Sequence, residues 1–89
     1  VTLPEAGNIG GGGFLLLRTP DDKAFAIDYR ERAPQLATRD VYVDKGGNLI
    51  QGEGGSLVGY RAAGVPGTVA GMDFALSRYG SGRFSWREL

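Results

Sequence analysis

An α+β fold is what three features of this 89-residue sequence predict. An apolar run, Phe14–Arg18, is separated by five turn residues from an alternating run that begins at Ala24. A long connecting stretch, rich in glycine, follows it. A segment with apolar residues at helical spacing, residues 66–79, comes after that. Strand, strand, loop and helix in this order imply a locally antiparallel sheet layered against helices.

Each element has its own grounds. Residues 1–13 read as an irregular entry, with Pro4 and the stretch Gly-Asn-Ile-Gly-Gly-Gly-Gly-Phe ending at Phe14. Phe14–Arg18 (FLLLR) is a short continuous apolar run, the pattern of a buried strand. Residues 19–23 (TPDDK) form a turn, and two strand-like runs so joined make a β-hairpin. Beyond the turn, Phe25, Ile27 and Tyr29 face one way and Ala24, Ala26, Asp28 and Arg30 the other, a period of two. Pro34 is expected to end that strand. The triplets VYV and NLI, flanking DKGG, suggest a small second hairpin, and GEGGS a flexible stretch. Over residues 66–79, Val69, Met72, Leu76 and Tyr79 fall on one helical face. Pro66 and Thr68 suit a helix start and Gly80 a C-terminal cap. Ser85 and Glu88 have capping-box spacing, with Phe84 and Leu89 placed as a hydrophobic staple. A second helix start so near Leu89 gives the expectation that this is a piece of a longer protein.

The bulk properties narrow the chemistry. Ten basic and ten acidic residues cancel, so no basic face is set aside for nucleic acid. No apolar run is long enough for a membrane-spanning helix. Without histidine or cysteine, a transition-metal site is not expected, and neither a Ser-His-Asp triad nor a Cys-His pair can be built from these residues.

The glycine run has two physical readings. Successive N–H groups of a glycine loop can converge on an anion. Phosphate loops, however, lead into a helix, and this run leads into a strand. In the second reading, bare backbone lets another chain segment approach where a Cβ would not fit. Arg30 likewise has two readings. It can pair with Asp28 or Glu31 as a surface ion pair worth about 0–1 kcal/mol. It can also grip a substrate carboxylate through its two-pronged guanidinium. Arg18, Arg32, Arg39, Arg61, Arg78, Arg83 and Arg87 compete for the second role on sequence alone. Asp28 and Glu31, three residues apart, point oppositely on a strand and make a poor acid–base pair.

Three blocks in order, PEAGNIGGGGFLLLR, AIDYRERAP and AGVPGTVAGMDFALSRYG, resemble the γ-glutamyltranspeptidase family over nearly all of residues 1–89. QLATRDVY between them fits as well. The resemblance implies a partial domain, the early large-subunit segment of an N-terminal-nucleophile hydrolase with a four-layer αββα sandwich. It implies self-cleavage of a precursor and a new N-terminal threonine on the small subunit as nucleophile. That threonine would attack γ-glutamyl amides such as glutathione, giving a γ-glutamyl-enzyme released by water or an amino acid. No metal or redox cofactor is implied. The implied partners are the rest of the large subunit and the small subunit, and the implied location is periplasmic or secreted. Arg30 matches the family arginine that binds the α-carboxylate of the γ-glutamyl group. Thr2, Thr19, Thr38 and Thr68 do not match the processing site, and the strand pair has no other sheet to pack against, so the chain alone is expected to be inactive and only marginally folded. A cephalosporin or glutaryl acylase of the same fold, and a small non-enzymatic anion-binding domain, are the alternatives.

Overall fold

The computed structural model describes residue 3 and residues 5–89. Val1, Thr2 and Pro4, at the head of the expected entry segment, lie outside the described residues. Two compact units are present: Val1–Glu31 together with Pro66–Leu89, and Arg32–Val65.

In the first unit, β1 (Phe14–Arg18) and β2 (Ala24–Asp28) pair antiparallel, with Phe14 opposite Asp28 and Arg18 opposite Ala24. The turn is closed by the Thr19 N–H donating to the Lys23 carbonyl at 2.9 Å, and by an Arg18–Asp22 ion pair. Lys23 and the Thr19 hydroxyl hold the Asp21 carboxyl below its usual range. The ladder runs one pair past the strands. The Tyr29 N–H donates to the Gly13 carbonyl at 3.0 Å, and the Gly13 N–H to the Tyr29 carbonyl at 3.4 Å.

The expected alternation is present in β2, where Ile27 is buried and Phe25 half-buried while Ala24, Ala26 and Asp28 are exposed. Helix α1 (Thr68–Tyr79) packs on this strand, its Tyr79 ring 4.7 Å from the Phe25 ring. Leu15 and Leu17 share the half-buried face. The expectation of a buried β1 holds for that face alone. Phe14 is 65% and Leu16 82% exposed on the other. A two-stranded sheet has two faces, and α1 packs on one of them, against β2.

Two further expectations are corrected. The second strand stops at Asp28, well before Pro34. The α1 face turned inward is also different. Thr68, Gly71, Ala75, Leu76 and Tyr79 are the residues withdrawn from water, whereas Val69 and Met72 of the expected stripe are exposed. Leu76 and Tyr79 of the expected stripe do turn inward, and beside Tyr29 the contact is made by Gly71, where no Cβ fits. α1 begins at Thr68 with Gly67 as N-cap, two residues later than expected, and ends on Gly80, whose N–H donates to the Leu76 carbonyl at 2.8 Å.

Near Leu89, the Ser85 N–H donates to the Glu88 carboxylate at 2.7 Å, one half of the capping box. The Ser85 hydroxyl donates to the same oxygen at 2.6 Å, and these two bonds hold the Glu88 carboxyl below its usual range. Phe84 and Leu89 are both exposed, which leaves the staple open.

The second unit starts and finishes on a matched pair. The Arg32 N–H donates to the Val65 carbonyl at 3.1 Å, and the Val65 N–H to the Arg32 carbonyl at 2.8 Å. Inside it the small hairpin is reduced to a bridge between Val43 and Leu49. Its tight turn is organised by Asp44, whose Oδ1 accepts the N–H groups of Gly46 at 2.8 Å and Asn48 at 2.9 Å. These bonds, Asn48 first, hold the Asp44 carboxyl below the usual aspartate range. The Tyr42 hydroxyl donates to the Arg61 carbonyl at 2.8 Å, in the short 3-10 turn Tyr60–Ala62.

Candidate functional site

Arg30 owes its position to Asp28. The Asp28 side chain accepts the backbone N–H of Arg30 at 3.0 Å. This local bond restrains the main chain just past the last ladder pair, Gly13 with Tyr29. The Arg30 side chain is 62% exposed, and its Nε stands 3.2 Å from Glu31 Oε2. The two neighbouring carboxylates therefore divide the work: Glu31 meets the side chain of Arg30, and Asp28 holds its main chain. Both are engaged as acceptors for Arg30, which argues further against an Asp28–Glu31 acid–base pair.

Tyr29, the residue before it, is enclosed by four glycines. A Cβ on Gly12 would lie 2.5 Å from the Tyr29 carbonyl oxygen and 2.7 Å from the Glu31 nitrogen. On Gly67 it would lie 2.1 Å from the same carbonyl oxygen, and on Gly71 2.4 Å from Tyr29 Cγ. On Gly13 it would meet the ring edge at 3.2 Å. The Gly12, Gly67 and Gly71 positions leave no room for any side chain.

The glycine run also caps α1. The Gly11 carbonyl accepts the N–H groups of Gly67 at 2.9 Å and Thr68 at 3.1 Å, and the Thr68 hydroxyl donates to the Asn8 carbonyl at 2.9 Å. These bonds stand where an N-cap side chain ordinarily serves, and Gly67 supplies none. Two of the helix's opening donors are thus taken. Within the run, the Gly11 N–H goes to the Asn8 carbonyl at 3.1 Å and the Gly13 N–H to Tyr29. The close-approach reading of the run is the one the geometry favours over a converging anion nest.

The competing arginines are placed elsewhere. Arg18 pairs with Asp22, Arg39 with Asp40 at 2.9 Å, and the main chain of Arg32 with Val65. Arg61, Arg78, Arg83 and Arg87 form no ion pair among the described residues. Of the threonines, Thr19 belongs to the hairpin turn, Thr38 is exposed and Thr68 opens α1. No cluster of His, Cys, Asp and Glu suited to a metal occurs among the described residues, and no helix there is long and apolar enough to cross a membrane. Sequence reasoning missed the enclosure of Tyr29. Its one visible trace is the four-residue spacing of Gly67 and Gly71, which puts both on one helix face.

The sequence model of the family described as gamma-glutamyltranspeptidase matches residues 1–89. A glutathione hydrolase proenzyme of Pseudomonas aeruginosa is 53% identical over all of this chain, which spans 15% of that protein. One from Escherichia coli is 51% identical over 91% of this chain, again a small part, 14%, of its length. Among solved structures, Helicobacter pylori gamma-glutamyltranspeptidase superposes with a TM-score of 0.77 and 50% identity, covering 85% of this chain and 21% of that one. The Pseudomonas nitroreducens enzyme complexed with L-DON also gives 0.77, at 53% identity over 89% of this chain and 23% of that one.

Proposed function

The chain belongs to the γ-glutamyltranspeptidase family, and from that membership we propose that it is the early large-subunit segment of an enzyme that cleaves γ-glutamyl amides such as glutathione. The observation that carries the proposal is the match of the whole chain, residue 1 to residue 89, to that one family. The relatives are named glutathione hydrolases, which favours a γ-glutamyl over a glutaryl substrate.

In this reading the hairpin and α1 contribute to a four-layer αββα sandwich completed by the rest of the large subunit and by the small subunit. A threonine freed at the N-terminus of the small subunit attacks the γ-carbonyl, its own α-amine taking the hydroxyl proton. The amine product leaves with a proton, and a γ-glutamyl ester remains on the threonine. Water or the amine of an acceptor amino acid then breaks that ester and frees the nucleophile. Arg30 binds the α-carboxylate of the γ-glutamyl group. Three features support this role: its side chain is exposed, Glu31 engages it at Nε, and its main chain is tied to Asp28. Glu31 at Nε leaves the outer prongs for a second carboxylate, and bidentate pairs of this kind are strong and directional. A periplasmic or secreted location belongs to the same proposal.

The test is the intact mass of the full-length protein that carries this chain, measured under denaturing conditions, together with glutamate release from glutathione. Two pieces, the smaller beginning at threonine, with glutamate released, are the expected result. A single uncut chain that releases no glutamate would sink the reading.

A further inference from the structure

We infer that Gly71 is a positioning residue for Arg30, acting through Tyr29. The inference rests on the reading of Arg30 as the α-carboxylate ligand and adds to it the device that holds the arginine in place.

Gly71 is buried in α1, and the atoms it faces are the root of the Tyr29 side chain. A methyl there would stand 2.4 Å from Cγ, 2.5 Å from Cβ and 2.7 Å from Cδ1. Rotation about the Cα–Cβ bond cannot move Cβ, so Tyr29 cannot escape by changing rotamer. Restoring ordinary contact at 3.4 Å requires about 1 Å of movement in the Tyr29 main chain or in the helix. The Tyr29 carbonyl is confined as well, by Gly12 and Gly67, and it is bonded to the Gly13 N–H. Arg30 is joined to Tyr29 by a rigid planar peptide, so a shift of Tyr29 becomes a shift of Arg30. The Asp28 bond fixes the other side of the same peptide. Four glycines and one aspartate thus determine where a guanidinium starts. A two-pronged grip on a carboxylate tolerates little error, since a 1 Å misplacement can cost about 100-fold.

The experiment uses the full-length protein and a γ-glutamyl anilide, with Gly71→Ala, Tyr29→Ala, Arg30→Ala and the doubles Gly71→Ala/Arg30→Ala and Tyr29→Ala/Arg30→Ala. Tyr29→Ala removes the ring that α1 rests on, and it carries the test if Gly71→Ala fails to fold and self-cleave. Each single variant at Gly71 or Tyr29 is expected to raise KM by about 10- to 100-fold, with kcat within about threefold of the parent. In the Arg30→Ala background the same changes should alter KM by less than about twofold, because the misplaced group is already gone. An unchanged KM in a folded, processed variant overturns the inference. So does an equal KM increase with and without Arg30, which marks a general packing role. If Arg30→Ala itself leaves KM unaltered, the carboxylate reading of Arg30 is what has failed.

Discussion

Tyr29 and Gly67 meet main chain to main chain: a Cβ on Gly67 would fall 2.1 Å from the Tyr29 carbonyl oxygen. The end of the hairpin and the start of α1 are therefore one packed joint, with the Gly11 carbonyl bonded across it to Gly67 and Thr68. Arg30 leaves from this joint.

Not every glycine in the run should matter equally. Gly12→Ala forces a methyl against backbone atoms at 2.5 and 2.7 Å, whereas at Gly10 the nearest atom is 3.5 Å away, an ordinary contact. We expect Gly12→Ala to destabilise the full-length protein by about 1–3 kcal/mol, the usual range for overpacking. Gly10→Ala should be neutral or stabilise by up to about 1 kcal/mol, by narrowing the unfolded ensemble. Denaturant midpoints of the two variants test this, and equal losses would contradict the close-approach role of Gly12.

Removal of the Arg30 guanidinium should be costly for catalysis. Truncating one partner of a desolvated charge pair costs about 2–5 kcal/mol, so kcat/KM for a γ-glutamyl substrate should fall roughly 30- to 5,000-fold in Arg30→Ala. Arg30→Lys keeps the charge without the fork and should recover only part of the loss. Steady-state kinetics of the processed enzymes decide the matter. A kcat/KM equal to the parent's in Arg30→Ala rules out the carboxylate contact.

The exposed face of the hairpin gives a third prediction. Leu16 is 82% exposed, so Leu16→Lys should change the stability of these 89 residues by less than about 0.5 kcal/mol. In the full-length protein, where the proposed sandwich lays another sheet over this face, the same lysine would be buried without a partner. The expected result is a sharp loss of folded, self-cleaved protein. Parent-like yield and melting temperature in the full-length variant would show that nothing covers the face.

Asp44 sets a pH dependence for its turn. Its carboxyl sits below the usual value because the ionised form accepts the N–H groups of Asn48 and Gly46. A depressed pKa means the turn gains stability that is fully present above the unfolded value, about 3.9, and is lost as pH falls through the lower folded value. The amide resonances of Gly46 and Asn48 should follow one titration with its midpoint below about 3.9. A midpoint at or above that value contradicts these two bonds.

Much of the hairpin is legible in residue order. Phe25 and Ile27 alternate with small or charged neighbours, and a two-fold period is the mark of an extended strand with one face turned to a core. The stop at Asp28 is not legible, because no proline or glycine interrupts the residues that follow it until Pro34. The packed face of α1 misleads for a different reason. Apolar spacing favours Val69 and Met72, yet contact with Tyr29 selects Gly71, and hydropathy gives a glycine no weight. Arg30 stands out from seven other arginines only through family resemblance. Its local pairing with Glu31 looks like an ordinary surface ion pair, and the joint that places it is assembled from residues about 16–60 positions apart in the chain.

The paired hydrogen bonds between Arg32 and Val65 make residues 32–65 an excursion that departs and returns at the same place. Such a gate separates length from geometry. Extending a flexible loop raises its closure cost only logarithmically, by about 0.6 kcal/mol for each doubling. A short glycine-serine tag inserted between Gly46 and Gly47 should leave the KM for the γ-glutamyl substrate unaltered, and a raised KM would show that the gate does not insulate. With KM unaltered, residues 32–65 would serve as a port for a fluorescent or affinity label that spares the proposed carboxylate contact of Arg30.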